Sequence, residues 1–436
     1  MRPAQNVSAA ASPDKVVLRW DEVPASTQYN IYYTQGSSVD KNGLKIANVK
    51  SPYAVGNLEN GLTYTFAVEA VKQAMPGPLS EGKTVTYIAS TLPLAKGNVS
   101  DSVASYLSLA LDATDKPYLA FVDQGKTLAD RNLPKVVALE NGAWVSKGKP
   151  SAIAPYTCCD LRIGPGEMPY LAMGDGEQGN RLTVKAFDGN NWTSVGGPAV
   201  TDAKAEFMAF AMDGLGIPYL AYNDSAKAGR VSVRRLEGSK WAQVGLPGFS
   251  TNASGALSLA FTKSNQPCLA SGAFGGISPT VMAFDGQSWN TTGDVTAALS
   301  RAAPGVLPLA VSPANQFYVG FADKSAGFKS SVLASGTTSW VAVGPAGFSE
   351  GSAQAFALAV DGRGVPFLAY SDDFRAGRIT VMKFENSAWT PACLPGFSKG
   401  RASFISLAIG KSGTVFVAFQ DAGDGGRAQV IKLNGP

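Results

Sequence analysis

An aspartate recurs at a fixed place along this 436-residue sequence, and a cation follows it at a fixed distance. The aspartate stands six residues after the start of a tetrad resembling Pro-Tyr-Leu-Ala, at Asp123, Asp175, Asp224, Asp323, Asp372 and Asp421. A cation stands six residues further on, at Arg181, Arg230, Lys329, Arg378 and Arg427, while Arg131 follows its aspartate by eight. We expect these side chains to pair as structural clamps across hairpins, with a ring of calcium or ligand sites as the alternative.

The sequence contains no histidine, so the commonest general base and metal ligand is missing. Nucleophiles that depend on a Ser-His or Cys-His pair are therefore excluded. The four cysteines, Cys158, Cys159, Cys268 and Cys393, show no zinc-ligand spacing. We expect free, mostly buried thiols and neither a metal nor a cofactor, and a disulfide between Cys268 and Cys393 stays open.

The tetrad occurs seven times, at steps of 52, 49, 49, 50, 49 and 49 residues. Its copies begin at Pro117, Pro169, Pro218, Pro267, Phe317, Pro366 and Val415. Each repeat holds an apolar segment, the tetrad segment and a third strand-like segment, and six repeats add a fourth segment that begins with Trp. A period near fifty residues built from four strands is typical of a propeller blade. The sequence therefore predicts an all-β chain with a seven-bladed β-propeller of four-stranded blades over residues 89–436.

The seventh repeat lacks the segment that begins with Trp. The segment Thr91–Gly97 precedes the first tetrad at the spacing expected of an outer strand. We predict that this N-terminal strand completes the last blade, which closes the ring and leaves no open edge between the first and last blades.

Residues 1–88 consist of short strand-like segments separated by turn clusters. Lys15–Trp20 alternates in polarity and ends in Trp, and Thr63–Val71 places Tyr64, Phe66, Val68 and Ala70 on one face. With Leu58, Gly61 and Tyr64 spaced as L-x-x-G-x-x-Y, this segment resembles the fibronectin type III family. The resemblance implies that residues 1–88 form a seven-stranded sandwich with no catalysis of its own.

The repeats themselves are similar in style to bacterial secreted propeller-repeat proteins. The matching motifs are Trp241–Ser250, Trp340–Ser349 and Pro366–Asp372. This resemblance implies export, so we expect a secreted or cell-surface protein whose signal peptide is absent from this sequence. The net charge is +4 with no dense basic run, and no apolar run approaches a membrane span. We therefore expect no nucleic-acid partner and no membrane insertion.

One repeat breaks the pattern of small residues expected along the central channel. At nine and seven residues before the tetrad, the second repeat has Asp160 and Arg162 where the others have small residues or proline. The pair is either a mutually neutralised pair beside a watery channel or a ligand or ion site. The recurring Gly-Phe-Ser turns at Phe249, Phe348 and Phe397 are expected to fill space between blades. The non-recurring Tyr156, Asp373, Phe374 and Arg375 are better candidates for exposed contact residues.

Three classes of function fit these observations. The first is a non-catalytic extracellular binding or adhesion module whose partner is a glycan or an extracellular protein. In that class we expect glycan recognition on the propeller face with the second-to-third-strand loops, through Tyr156, Asp160, Arg162, Asp373, Phe374 and Arg375. The second is a glycoside hydrolase or polysaccharide lyase, and the third is a structural scaffold or protein–protein interaction module. The oligomeric state is left open.

Overall fold

The computed structural model describes residues 2–433 apart from 13–14, 25–27, 57, 59–61, 74, 88–90, 95–97, 126, 128–130, 152–158, 274–278, 294–298, 301, 304–306 and 337–338. The chain divides into two compact units, Met1–Leu92 and Pro93–Leu433. The domain boundary that the sequence suggests at residue 88 stays a prediction. No helix in the described part is long and apolar enough to cross a membrane.

Two antiparallel sheets form the first unit. Its strands are β1 (Ser8–Ser12), β2 (Lys15–Arg19), β3 (Gln28–Gln35), β4 (Leu44–Val49), β5 (Tyr53–Gly56), β6 (Thr63–Lys72), β7 (Met75–Leu79) and β8 (Lys83–Thr86). One sheet has the order β1-β2-β5, and the other has the order β4-β3-β6-β7 with β8 also paired to β6. The last strand of the sandwich is thus divided into β7 and β8. Pro76 and Pro78 lack the N–H needed for a continuous ladder, and the register shifts beside them.

The core of the first unit contains the residues expected from the alternating pattern. Tyr64, Phe66, Val68 and Ala70 are buried on one face of β6. Trp20 is buried with them, and its ring centroid lies 5.4 Å from that of Tyr29. The predicted sandwich core is therefore confirmed, while Gly61 lies outside the described residues.

Seven four-stranded antiparallel sheets form the second unit. The strands are β9 (Thr91–Pro93), β10 (Ala104–Leu111), β11 (Pro117–Asp123), β12 (Leu133–Glu140), β13 (Ala143–Ser146), β14 (Cys159–Ile163), β15 (Pro169–Asp175), β16 (Arg181–Phe187), β17 (Trp192–Ser194), β18 (Met208–Met212), β19 (Pro218–Asp224), β20 (Arg230–Glu237), β21 (Lys240–Gln243), β22 (Ser254–Phe261), β23 (Pro267–Ala273), β24 (Thr280–Phe284), β25 (Trp289–Thr291), β26 (Leu309–Val311), β27 (Phe317–Asp323), β28 (Lys329–Ser335), β29 (Trp340–Ala342), β30 (Ala353–Val360), β31 (Pro366–Asp372), β32 (Arg378–Glu385), β33 (Ala388–Pro391), β34 (Ala402–Ile409), β35 (Val415–Asp421) and β36 (Arg427–Leu433). Six sheets take four consecutive strands each, from β10–β13 to β30–β33, and form blades one to six.

The seventh sheet is consistent with the predicted closing strand. Its order is β34-β35-β36-β9, so β9 occupies the outer position of blade seven. The first strand of each blade contacts the first strand of the next, and β34 of blade seven contacts β10 of blade one. The fold class predicted from the sequence is therefore correct. Gly97, at the far end of the predicted strand, lies outside the described residues.

Tryptophans link the outer strands of neighbouring blades. In five blades the indole Nε1 donates a hydrogen bond to a backbone carbonyl of the preceding blade, and the acceptor stands three residues after the Trp of that preceding blade. The N···O distances are 2.6, 2.8, 3.0, 2.6 and 2.6 Å for Trp192, Trp241, Trp289, Trp340 and Trp389. Phe249 stacks on Trp289 and Phe348 stacks on Trp389, with ring centroids 4.8 and 4.3 Å apart. The prediction that the recurring phenylalanines fill space between blades is thus confirmed for these two.

Each blade has two ends, and they differ in the loops that they carry. The hairpin face is the end with the second-to-third-strand hairpins, such as residues 373–377, and the connections between blades, such as residues 396–401. The turn face is the opposite end, with the first-to-second-strand turns, such as residues 164–168. Because the first strand of a blade runs from the hairpin face to the turn face, a residue's place along it decides the end at which it lies.

Candidate functional site

The recurring aspartates cap the hairpins on which they stand. Asp175, Asp224, Asp323, Asp372 and Asp421 each accept a hydrogen bond from the backbone N–H two residues later, at the start of a short 3-10 turn. Asp123 does the same with Gly125. A buried backbone N–H needs such a partner, and an aspartate beside a turn supplies it.

The predicted Asp/Arg clamp is wrong in its partner. Asp372 and Arg378 stand opposite each other in the ladder, but the Asp372 carboxylate accepts from Thr380 Oγ1 at 3.0 Å. Hydroxyl groups occupy the same place in Asp224–Ser232 and Asp323–Ser331. Asp323 and Asp372 are almost fully buried, and a short neutral donor satisfies a buried carboxylate at a lower desolvation cost than a guanidinium group. Cations from other positions lie near some of the aspartates: Lys135 Nζ is 2.6 Å from Asp123 Oδ2, and Arg375 Nε is 3.5 Å from Asp372 Oδ2.

Replacing Asp372 with alanine is expected to lower the free energy of unfolding by about 1–3 kcal/mol, because Phe374 N–H and Thr380 Oγ1 lose their acceptor. Denaturation of the single variants and of two double variants measures the effect. Asp372→Ala should be less than additive with Thr380→Val and additive with Arg378→Ala. A coupling of Asp372 with Arg378 above about 0.5 kcal/mol would reinstate the clamp.

Asp160 and Arg162 lie in the channel wall of blade two and form an ion pair. Arg162 Nη1 lies 2.5 Å from Asp160 Oδ1, and the side chains are 35% and 21% exposed. Asp160 Oδ1 also accepts from Ser108 Oγ of blade one, and Oδ2 accepts from the Phe210 N–H of blade three. Both carboxylate oxygens are thus used within the protein.

Serines perform the same task elsewhere in the ring. Ser108, Ser258 and Ser406 stand at the position of Asp160 in their own blades, and each accepts the backbone N–H of the next blade, from Leu161, Leu309 and Leu109 respectively. Asp160 therefore links neighbouring first strands, as the serines do. This geometry favours the interpretation of a neutralised pair beside the channel.

A cavity of about 660 Å³ opens at the turn face, and Arg162 is part of its lining. Lys263, Asp213, Asp361, Met212 and Phe261 from blades three, four and six line it as well. Asp213 and Asp361 each use Oδ1 to accept two backbone N–H groups of their own turn. Arg162 therefore points toward the end of the channel opposite the face on which the sequence suggested ligand binding.

Asp373, Phe374 and Arg375 form the hairpin turn of blade six, on the hairpin face. Phe374 is 65% exposed, and the Arg375 guanidinium lies 5.5 Å from the centre of its ring. Asp373 Oδ1 accepts from Arg401 Nη1 at 3.0 Å, and Arg375 Nη2 donates to Glu350 at 2.9 Å. Of these three candidates, Phe374 has the most surface free for a ligand. Tyr156, the remaining candidate, lies outside the described residues.

An exposed aromatic pair that the sequence analysis missed lies near the hairpin-face end of the channel. Tyr106 of β10 and Phe404 of β34 are 44% and 37% exposed, with ring centroids 5.1 Å apart at an interplanar angle of 55°. Blades one and seven are neighbours, so the pair lies across the seam of the ring. Both residues stand eleven positions before their tetrads, a place that Phe207 fills in blade three and alanine fills in blades four and six.

Backbone bulges hold these two rings in place. The ladder register shifts between Ser105 and Ser108 and between Ser403 and Ser406, on either side of Tyr106 and Phe404. The φ angles of the two residues are 54° and 49°, in the left-handed region that bulky side chains rarely adopt. Such strain is often found where a side chain is held for a function, and bulges often re-aim side chains at binding sites.

Contacts connect the blade-six hairpin, which carries Phe374, to the strand that carries Phe404. Ala402, at the start of β34, donates its N–H to Gly377 O in the blade-six hairpin, and Arg401 pairs with Asp373 in the same hairpin. Gln354 Nε2, at the start of β30, also lies 3.3 Å from Asp373 Oδ2. Phe374 is therefore tied through Asp373 and Arg401 to the strand that carries Phe404.

Outside these surfaces, the described residues show neither a metal-binding cluster nor a reactive thiol at Cys268. No group of three or more His, Cys, Asp or Glu side chains in the described part could hold a metal ion. Cys268 and Cys393 are free and buried, so the disulfide between them is not formed. Burial raises the pKa of the Cys268 thiol to about 12, so it stays protonated and unreactive. Cys158 lies outside the described residues.

Residues 2–86 match the family model of the fibronectin type III domain. No curated protein matches the sequence of this chain. Among solved structures, a polysaccharide lyase (ulvan lyase) is 11% identical, with a TM-score of 0.52 over 78% of this chain and 95% of the lyase. A chain of the mitotic checkpoint complex is 9% identical, with a TM-score of 0.53 over 81% of this chain and 98% of that chain.

The Aleuria aurantia lectin is 13% identical, with a TM-score of 0.42 over 68% of this chain and 98% of the lectin. The lectin supports no conclusion about this chain. The polysaccharide lyase and the checkpoint-complex chain share the fold of this chain and, at 11% and 9% identity, nothing more. Residues 2–86 therefore belong to the fibronectin type III family, and the second unit of the chain is a seven-bladed β-propeller.

Proposed function

We propose that this protein is a non-catalytic, extracellular glycan-binding module whose binding surface is the hairpin face of the propeller. The observation that carries the proposal is the exposed pair Tyr106 and Phe404, held at strained bulges beside the channel. Left-handed backbone costs stability, and the two rings keep 44% and 37% of their surface exposed, so a contact with another molecule is the better explanation.

A glycan fits the chemistry of this surface. Aromatic rings stack on the apolar faces of sugars, and nearby charged groups hydrogen-bond the hydroxyls. Phe374, Arg401 and Gln354 extend the aromatic pair with one further ring and two polar groups. The polysaccharide lyase that shares this fold was solved with a saccharide bound, which shows that such a propeller can present a carbohydrate site.

The buried carboxylates support binding over hydrolysis. Glycoside hydrolysis needs two carboxyl groups facing each other across the scissile bond. Asp112, Asp213 and Asp361 accept backbone N–H groups of their own turns, and the six recurring aspartates cap hairpins. Among the described residues these buried acids are therefore committed to turns.

The domain organisation and location belong to the same proposal. We assign residues 1–88 to the sandwich and 89–436 to the propeller, and we infer secretion or display on a bacterial cell surface with a role in adhesion. Asp160 and Arg162 stay candidates for ligand contact at the channel, although their mutual pairing favours a supporting role.

Replacing Tyr106 and Phe404 with alanine is expected to weaken glycan binding at least tenfold, because the stacking surface is lost. Alanine is tolerated at this position, since Ala355 occupies it in blade six with a φ angle of 52°. Phe374→Ala should weaken binding less. A broad glycan array, followed by calorimetric titration with its best ligand, measures the effect.

Leu215→Ala serves as the control, because Leu215 is an exposed apolar residue in a turn of the opposite face. Its affinity and the melting temperatures of all variants should equal those of the wild type. An empty array would turn the proposal toward a protein partner. Cleavage of any polysaccharide on a substrate panel would contradict the non-catalytic assignment.

A further inference from the structure

A second cavity, of about 480 Å³, lies in blade three; unlike the first, it opens on the hairpin face. It is lined by the connection that enters the blade, including Thr201 and Asp202, and by the blade's own hairpin, including Lys227. The long polar side chains Arg234 and Gln243 form part of its wall. A volume of this order is typical of small-ligand pockets.

Blade three differs from blades four and six at two positions near this cavity. In three connections a phenylalanine precedes the serine that accepts a backbone N–H from the third strand of the blade that the connection leaves, at Phe249, Phe348 and Phe397. The connection into blade three has Val200 before the equivalent Thr201. The aromatic ring carried by the connections into blades four, six and seven is thus replaced here by a smaller side chain.

The second departure is Arg234 on β20. It stands opposite Leu220 in the ladder, a place filled by Met282, Leu333 and Met382 in blades four to six. Gln243 stands directly opposite Arg234 on β21, so the two side chains lie on the same face. Other blades have Ser146, Ser194, Thr291, Ala342 or Pro391 at that place.

The donors in this cavity are only partly used. Arg234 Nη1 donates to Val200 O, and Nη2 donates to Asp202 Oδ2 at 2.7 Å. The Asp202 side chain is 86% exposed, so this ion pair contributes little and an incoming carboxylate can replace it. Gln243 Nε2 is buried and has no hydrogen-bond partner in the described structure, so this N–H donor is available to a ligand oxygen.

Blade two also carries a cation at this place, and that cation is paired within the protein. Lys185 occupies the place of Arg234, and its ammonium group donates to Pro150 O and lies 3.0 Å from Asp175. That cation is satisfied within the protein. The open arginine beside an unpartnered amide is therefore a feature of blade three.

We infer that this cavity binds the carboxylate of an acidic sugar residue, such as a uronate, as part of the glycan recognised by the hairpin face. The guanidinium group of Arg234 matches a carboxylate through two parallel hydrogen bonds, and Gln243 supplies a third donor. The inference rests on the proposed function and adds to it the chemical class of the sugar.

The test is calorimetric titration of the full chain with trigalacturonate and with the neutral galactotriose. Arg234→Met, which introduces the residue of blades four and six, is expected to weaken trigalacturonate binding about tenfold to a hundredfold and leave galactotriose binding unchanged. Asp202→Ala should bind trigalacturonate at least as tightly as the wild type, because it removes the competing carboxylate.

Arg235→Met is the matched control, because it removes the same charge from the adjacent position, where Arg235 pairs with Glu237. Its affinity for trigalacturonate should not change. Equal binding of the acidic and neutral sugars, with no effect of Arg234→Met, overturns the inference and leaves the proposed function standing.

If the glycan array is empty, the proposed function fails. The cavity is then tested by titrating the protein with monomeric galacturonate while the NMR chemical shifts of the Gln243 side-chain amide are recorded. Shifts that are absent in Arg234→Met support the carboxylate site, and no shift at all overturns it.

Discussion

Removing residues 1–97 is expected to open the propeller and drive it into aggregates, whereas removing residues 1–86 is expected to leave a folded propeller. The longer deletion removes β9, the outer strand of blade seven, and exposes the hydrogen-bonding groups of β36 that β9 covers. An unpaired strand edge pairs readily with other chains. Both deletions remove the sandwich, so the difference between them isolates the closing strand.

Size-exclusion chromatography and thermal denaturation of the two truncated chains measure this effect. The shorter deletion should elute as one species and melt in one cooperative transition, and most of the longer one should be recovered as aggregates. If the two truncated proteins behave alike, β9 is not needed for closure. That result would mean that contacts between β34 and β10 alone hold the ring together.

The architecture was predictable because the repeat is long and regular and because recognisable residues mark its strands. The tetrads fix the second strand of every blade, and the tryptophans fix the fourth, so the missing seventh tryptophan pointed directly to an N-terminal strand. The division of the sandwich's last strand into β7 and β8 was harder to predict, because it depends on where Pro76 and Pro78 stand relative to β6.

The side-chain partners were less predictable than the strands. Sequence spacing placed Asp372 directly opposite Arg378, which is correct for the backbone, but a buried aspartate bonds the nearest turn N–H and a hydroxyl group. The bulges at Tyr106 and Phe404 leave the spacing of the repeat unchanged, so no period reveals them. The available signal was that aromatic residues, Tyr106, Phe207 and Phe404, stand eleven positions before three tetrads, where Ala256 and Ala355 stand before two others.

The ion pair in the channel shows why a break in symmetry need not mark a ligand site. Asp160 was singled out because serine or another small residue occupies its place in other blades. The structure shows that the aspartate performs the task of those serines by accepting the N–H of the next blade. Arg162 then neutralises the charge that the aspartate introduces.

Asp160→Ala is accordingly expected to destabilise the propeller by about 2–4 kcal/mol, in contrast to a surface contact residue. The change leaves Arg162, which is two-thirds buried, without its counter-ion. It also removes the acceptor for the Phe210 N–H and for the Ser108 hydroxyl. Thermal and chemical denaturation of the full chain measure the loss.

The repeat supplies its own compensating variant. Asp160→Ser combined with Arg162→Ala reproduces the pairs Ser258/Ala260 and Ser406/Ala408, in which a serine accepts the N–H of the next blade without a charge. This double variant should recover the wild-type stability to within about 1 kcal/mol, since it restores the hydrogen bond and removes the unpaired guanidinium group. If Asp160→Ala instead keeps its stability and loses a bound glycan, the pair is a ligand site, and the channel must be added to the binding surface on the hairpin face.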